Sequence, residues 1–345
     1  MIDRASVVFD GAILGAGPPT GVARAFLTAL AAYVECADEP PLILLPPHAP
    51  SPSLANLREL RTAAVAGAVA RQLALPRLLR RLGARVFHAP FTAIPAKAPC
   101  AVIATVHDLP WRARDHADLA HEPGRGLRSR LVLRIALARA DAVLVPSHAT
   151  ERDVHDECKM PRARVIVVPH GVVLPPDDVT CRHDGPFLAL GDDRPRKNLA
   201  RLRDAHARAR TQRPSLPALD CFGPRRHAER ARFVGEDEKH ALLREARALV
   251  HVSLHEGFGL PVLEAMGHGT PVVCSDRASL PELAGDAALY VDPTDVGAIA
   301  DALLRIDTDE ALRTTLARAG RERAAAFPPE RAAQAWRRLH SELGA

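Results

Sequence analysis

None of the six cysteines forms a C-x-x-C pair, which argues against a zinc site or a disulfide framework and leaves buried, reduced thiols as the expectation. No stretch reaches the roughly 18 uncharged apolar residues of a membrane span. The opening MIDRASVVFD also lacks the apolar run of a signal peptide, so a cytoplasmic protein is expected. Aromatic residues make up only 4% of the chain, too few for base-stacking platforms, and no nucleic-acid partner is expected. G-x-S-x-G, H-E-x-x-H and Walker motifs are all missing. Glu236, Asp237 and Glu238 read as the acidic first turn of a helix rather than as metal ligands, so no metal is expected.

Acid is missing from one long stretch. Between Glu59 and Asp108 seven basic residues follow one another without a carboxylate: Arg61, Arg71, Arg77, Arg80, Arg81, Arg85 and Lys97. Such a run is either a solvated face or a surface for an anionic partner, membrane lipid or a phosphorylated acceptor.

What is present is ordinary globular composition, 47% hydrophobic and 25% charged over 345 residues, enough for two domains. Short β-rich runs (SVVFDGAIL, PLILL, RVFHAP, AVIATVHDL, DAVLVPS, VIVVPHGV) alternate with Ala, Leu and Arg-rich helical stretches. The alternation predicts parallel sheets covered by helices. VLPPDDVTCRHDGP, residues 173 to 186, breaks it like a linker, and the pattern restarts at FLALG. The expectation is an α/β protein of two doubly wound lobes, with ligands at the carboxyl ends of the strands facing a central cleft.

HEGFGLPVLE, residues 255 to 264, holds two glutamates around a bend that Gly257, Gly259 and Pro261 force. Glu256 is expected to end a strand and Glu264 to lie near the start of a helix, whose free N–H groups suit a phosphate. Complementing the helix dipole is the plainer role for Glu264, but it does not account for Glu256 and both glycines. In GDDRPRKNLARL, Arg196 and Lys197 immediately precede a helix begun by Asn198 or Leu199. Positive charge there opposes the macrodipole unless an anion is bound, which points to a diphosphate. AVIATVHDLPW ends a strand in His107 and Asp108; a lone histidine there is usually structural. DGAILGAGPPTGVAR has the wrong glycine spacing for a dinucleotide fingerprint and reads as a loop close to a phosphate or sugar.

HEGFGLPVLEAMGHGTPVVCSDRASLPELAGDAALYVDP, with RPRKNL upstream, resembles the retaining glycosyltransferases of family 4, which have the GT-B fold. TGVAR, VFHAP, VHDL, ADAVLVPSHAT and VPHGV extend the likeness over most of the chain, and VHDL with TGVAR is most similar to the mannosyltransferase-like branch. The resemblance implies an acceptor-binding Rossmann-like domain at 1–175, a nucleotide-sugar-binding domain at 176–328, and a last helix at 329–345 that crosses back onto the first domain. It implies that Arg196 and Lys197 hold the donor diphosphate in place of a metal, and that Glu264 receives the ribose hydroxyls. Glu256 and the backbone of Gly257, Phe258, Gly259 and Leu260 would hold the transferred sugar and its phosphate. His107 would contact the sugar across the cleft, and Gly21 with its loop would close on the diphosphate.

The function so implied is metal-independent, retaining transfer of a hexose from a nucleotide diphosphate sugar, GDP-mannose preferred slightly over a UDP sugar. The acceptor would be a carbohydrate, lipid-linked or small-molecule hydroxyl in glycan, glycolipid or metabolite biosynthesis. Peripheral contact with anionic lipid at the inner face of the membrane is an added expectation. Between Gly223 and the FVG at 233 to 235 only nine residues intervene where relatives carry more, which leaves uracil and guanine both open. The alternatives are an NAD-dependent oxidoreductase on the same scaffold and a non-catalytic sugar-nucleotide-binding partner subunit.

Overall fold

The computed structural model describes residues 4–15, 20–109, 111, 127–158, 164–176, 183–192, 194–223 and 235–345. These fall into two compact units. The first draws on Met1–Leu109, Gly126–Gly171 and Pro328–Ala345, and the described part of the second on Trp111 and Val172–Phe327.

In the first unit the chain runs β1 (Val7–Asp10), α1 (Gly21–Cys36), β2 (Leu42–Leu45), β3 (Arg58–Arg61), α2 (Ala68–Leu73), α3 (Leu75–Leu82) and β4 (Val86–Ala89). It continues through β5 (Ala101–Thr105), α4 (Leu127–Arg139), β6 (Ala142–Val145), α5 (His148–Cys158) and β7 (Val165–Val167). The strands form one parallel sheet in the order β3-β2-β1-β4-β5-β6-β7. β1, β2, β4 and β6 are buried along their whole length, which is why they read as continuous apolar runs rather than alternating ones. RELR, by contrast, alternates half-buried and exposed and forms the edge strand β3, which the apolar-run signal does not flag. The SVVFDGAIL run stops as a strand at Asp10, whose carboxylate accepts from the Ala12 amide and turns the chain into a short 3-10 segment.

The second unit runs β8 (Phe187–Leu190), α6 (Leu199–Gln212), β9 (Leu219–Phe222), α7 (Glu236–Glu245), β10 (Ala248–His251) and α8 (Leu260–Gly267). β11 (Val272–Ser275), α9 (Leu280–Ala284), β12 (Leu289–Val291), α10 (Val296–Thr308) and α11 (Glu310–Ala325) complete it. Its parallel sheet has the order β12-β11-β10-β8-β9. As the acidic cluster suggests, Glu236, Asp237 and Glu238 form the first turn of α7.

The last helix, α12 (Pro329–Glu342), belongs to the first unit and packs along α1. Ala332, Ala333, Trp336 and Leu339 enter the core around Phe9, and the Trp336 ring lies 4.7 Å from that of His88. Burial of a side chain such as Leu339 contributes roughly 1.5–3 kcal/mol, so the helix is an integral part of that core.

Among the described residues the cysteines are unbridged, as expected, but Cys274 alone is fully buried; Cys36, Cys100, Cys158 and Cys221 are half-buried. Cys181 and part of the 173–186 stretch lie outside the described residues. So do residues 16–19 of the first glycine-rich connection and residues 224–234.

Candidate functional site

In the second sheet β8 lies between β9 and β10, so the crossovers leave it in opposite directions and the strand order reverses at the β8/β10 junction. Loops after neighbouring parallel strands emerge on the same edge there and splay apart, leaving a crevice for a ligand. Residues 191–198 follow β8, and residues 252–259 follow β10.

The two loops are clamped together. Asn198 adopts a left-handed conformation (φ 59°), which asparagine tolerates better than most residues, and its amide donates to the carbonyls of Val252 (3.0 Å) and Pro293 (2.6 Å). The Leu254 amide donates to the Arg196 carbonyl at 2.8 Å. The sequence marks Asn198 only as a helix start; its hold on the second loop needs the fold.

The clamp brings three of the expected residues into contact. Lys197 Nζ lies 2.6 Å from Glu256 Oε1, and an Arg196 guanidinium nitrogen lies 3.4 Å from Glu256 Oε2. His251, at the end of β10, places Nε2 3.0 Å from Glu256 Oε1. Burial alone would raise the Glu256 carboxyl, but Lys197, the His251 hydrogen bond and Arg196 outweigh it and hold Glu256 well below the usual carboxylate range. Burial pushes His251 down, so it is neutral at pH 7. Arg196 and Lys197 thus both face the Glu256 carboxylate, and paired cations at this edge suit a phosphate. In the sequence His251 stands out only as a polar ring inside the apolar run ALVHVSL, residues 248 to 254.

Glu264 has a different partner. It is buried on α8, with Oε1 2.7 Å from Nζ of Lys239 on α7, which also bridges to Glu236 at 2.8 Å. Glu264 is the fifth residue of α8 and lies beyond its first turn, so the dipole role is not the one the fold supports. In the sequence Lys239 is marked only by rarity: the chain has four lysines against 42 arginines, and two of them, Lys197 and Lys239, face the two glutamates of HEGFGLPVLE.

Between the glutamates, Gly259 caps α8 in a left-handed conformation (φ 104°), and a Cβ there would meet Leu280 Cδ2 at 2.6 Å. Leu260 begins the helix, and Pro261 has no N–H. The Phe258 side chain is buried against Phe327 with ring centroids 6.0 Å apart, so this residue offers a ligand its backbone alone. Gly257 lies in the bend before it.

Gly21 and His107 belong to the first unit. Gly21 opens α1, which Thr20 caps through the Ala23 amide, and a Cβ on Gly21 would meet nothing closer than Arg24 at 4.0 Å. His107 follows β5; its Nε2 donates to the Pro90 carbonyl at 2.8 Å and its ring stacks on His170 at 5.4 Å. That bond fixes the proton on Nε2 and leaves Nδ1 as a buried acceptor without a partner among the described residues. Burial lowers the pKa of both rings, His170 to about 3, so both are neutral at pH 7.

Two doubly wound parallel sheets, one with paired cations at its switch point, define an α/β protein of the GT-B class. The family profile described as "Glycosyltransferase Family 4" matches residues 38–174, and that described as "Glycosyl transferases group 1" matches residues 222–323. The chain belongs to family 4 of the glycosyltransferases.

It is 48% identical over 81 residues to the O-antigen chain mannosyltransferase B of Escherichia coli, 24% of this chain and 21% of that one. It is 30% identical over 259 residues to the MMP alpha-(1->4)-mannosyltransferase of Mycolicibacterium hassiacum, 66% of this chain and 62% of that one. The chain thus spans between about a fifth and about three fifths of the length of these relatives. Among solved structures, sucrose-phosphate synthase of Thermosynechococcus elongatus superposes with a TM-score of 0.79 at 21% identity over 99% of both chains. WaaG, a glycosyltransferase involved in lipopolysaccharide biosynthesis, gives 0.72 at 17% identity over 95% of this chain and 99% of that one. At these identities the superpositions establish the fold alone.

Proposed function

We propose that this chain is a retaining, metal-independent hexosyltransferase that uses a nucleotide diphosphate sugar. The observation that carries the reading is the pairing of Lys197 and Arg196 with the Glu256 carboxylate at the switch point of the second sheet. Arg196 and Lys197 take the diphosphate and stabilise its charge as it leaves, the task a metal ion performs elsewhere. Glu264, held by Lys239, accepts from the ribose hydroxyls. Glu256 and the backbone from Gly257 to Leu260 hold the sugar and its phosphate, and Gly21 with its loop closes on the diphosphate. His107 offers Nδ1 to a sugar hydroxyl.

The bond from the anomeric carbon to the phosphate oxygen breaks, and its electron pair leaves with the phosphate. An acceptor hydroxyl forms the new bond on the same face and passes its proton to the departing phosphate oxygen. Glu256 is kept ionised by its partners and serves as a fixed anion rather than a proton donor.

Two of its relatives are mannosyltransferases, which favours a mannosyl donor over a glucosyl one. The acceptor is a carbohydrate, lipid-linked or small-molecule hydroxyl. Peripheral contact with anionic membrane through the first unit is part of the reading, supported by Val69 and Leu73, which are 72% and 58% exposed on α2 beside the basic run.

Thermal-shift screening of GDP-mannose, UDP-glucose and NAD, followed by NMR of the anomeric product in EDTA, tests the reading. Stabilisation by a nucleotide sugar and a retained anomer are expected. Stabilisation by NAD alone, an inverted product, or complete loss of turnover in EDTA would overturn it.

A further inference from the structure

At the amino-terminal edge of the first unit's sheet, away from the strand ends that lead to Gly21 and His107, lies an open cavity of about 840 Å³. Six arginines line it: Arg4 before β1, Arg80 and Arg81 in the last turn of α3, Arg85 before β4, and Arg337 and Arg338 on α12. Two are engaged within the protein, Arg85 with the Gly344 carbonyl (3.1 Å) and Arg337 with Asp38 (2.7 Å). Among the described residues, the guanidinium groups of Arg4, Arg80, Arg81 and Arg338 make no hydrogen bond or ion pair.

Nor are Arg80 and Arg81 needed to close α3. The carbonyls of Leu79, Arg80 and Leu82 already accept from the backbone amides of Ala84, Gly83 and Ala5. Arg4 lies with its stem over Gly83, 3.7 Å from where a Cβ would stand, which keeps its head at the cavity. Four such arginines lining one concavity repel one another and raise the local potential, a cost that a bound polyanion reverses. Planar guanidinium groups favour forked contacts to phosphate, and the volume lies in the range of small-ligand pockets.

We propose that this cavity is a binding site for a compact, multiply charged phosphate group, separate from the donor site. The ligand chemistry is a phosphomonoester or pyrophosphate, free in solution or carried as the headgroup of an amphiphile. The side chains that recognise it are Arg4, Arg80, Arg81 and Arg338. Asp38 and Glu39 also line the cavity, Asp38 paired with Arg337 and Glu39 accepting from Ser6 at 3.3 Å.

The test is calorimetric titration of inorganic pyrophosphate into full-length chain carrying Lys197→Ala, which removes a cation of the proposed donor site. One-to-one binding is expected, and adding Arg81→Gln with Arg338→Gln weakens it at least about tenfold, about 1.4 kcal/mol. Arg152→Gln with Arg318→Gln, two exposed arginines elsewhere, changes it less than about twofold, under about 0.4 kcal/mol. Because the four arginines of these pairs are exposed, circular dichroism of every variant should match the parent.

Flotation with phosphatidic acid vesicles separates the sources. Pyrophosphate binding that depends on Arg81 and Arg338 supports a soluble ligand; vesicle binding with the same dependence and no pyrophosphate binding supports a headgroup. No binding in either assay, or equal loss in both arginine pairs, overturns the proposal.

Discussion

Lys239 places its ammonium 2.7 Å from Oε1 of Glu264, so the second glutamate of HEGFGLPVLE is held by a charge from the preceding helix, α7. Both groups are buried. Removing one member of a buried ion pair is far more costly than leaving the pair intact. Lys239→Met is expected to destabilise the chain by about 3–5 kcal/mol. Lys239→Met with Glu264→Gln should recover at least half of that in urea unfolding, without recovering donor use. Equal stability in the single and double variants would separate Lys239 from Glu264.

Lys197→Ala removes the closest cation of Glu256 at a position where the side chain is 11% exposed. Donor affinity should fall by about 1.5–3 kcal/mol, the scale of a hydrogen bond to a charged group. Glu264→Ala should likewise weaken donor binding with the fold kept. Both are read by calorimetric titration of the best nucleotide sugar; unchanged affinity in both would remove these residues from the donor site.

Gly259→Ala is expected to cost about 1–3 kcal/mol, because its left-handed backbone is strained for any side chain and the new Cβ meets Leu280. The shift of α8 that relieves the clash would also weaken donor use. Gly21→Ala meets no described residue closer than Arg24 at 4.0 Å and should not lower the unfolding midpoint, so any loss of turnover there reports on the ligand.

His340 is buried on α12, where Tyr33 Oη lies 2.8 Å from its Nδ1 and His88 Nδ1 lies 3.1 Å from its Nε2. Burial lowers the His340 pKa to about 4 and sends His88 well below its usual value. The unfolded chain therefore binds more protons than the native one between these values and about 6.5. The associated stability is fully present above pH 6.5 or so and falls as the pH drops towards 4, by on the order of 3 kcal/mol for His340. Fluorescence of Trp336 in a Trp111→Phe background should show α12 leaving the Phe9 core at lower urea at pH 4.5 than at pH 7. A pH-independent midpoint would refute it.

The alternation of apolar runs with helical stretches was enough to anticipate two parallel sheets, because buried strands and amphipathic helices carry periods visible in one dimension. It missed β3, an edge strand whose RELR pattern resembles a charged loop. Arg196, Lys197 and Glu256 were legible because cations before a helix and glutamate before a glycine bend are locally anomalous. Their partners were not. His251 and Lys239 look like an ordinary strand residue and an ordinary helix lysine until the sheet and α7 bring them against the glutamates.

By itself the sequence determined the fold class, the bend in HEGFGLPVLE and an excess of cations over anions before α6, since each rests on local chain chemistry. The tertiary structure decided which cation faces which carboxylate, that the Phe258 ring belongs to the core, and that six arginines scattered from Arg4 to Arg338 line one cavity. Those pairings join residues far apart in the chain, and only the order of strands in the folded sheets sets the distances between them.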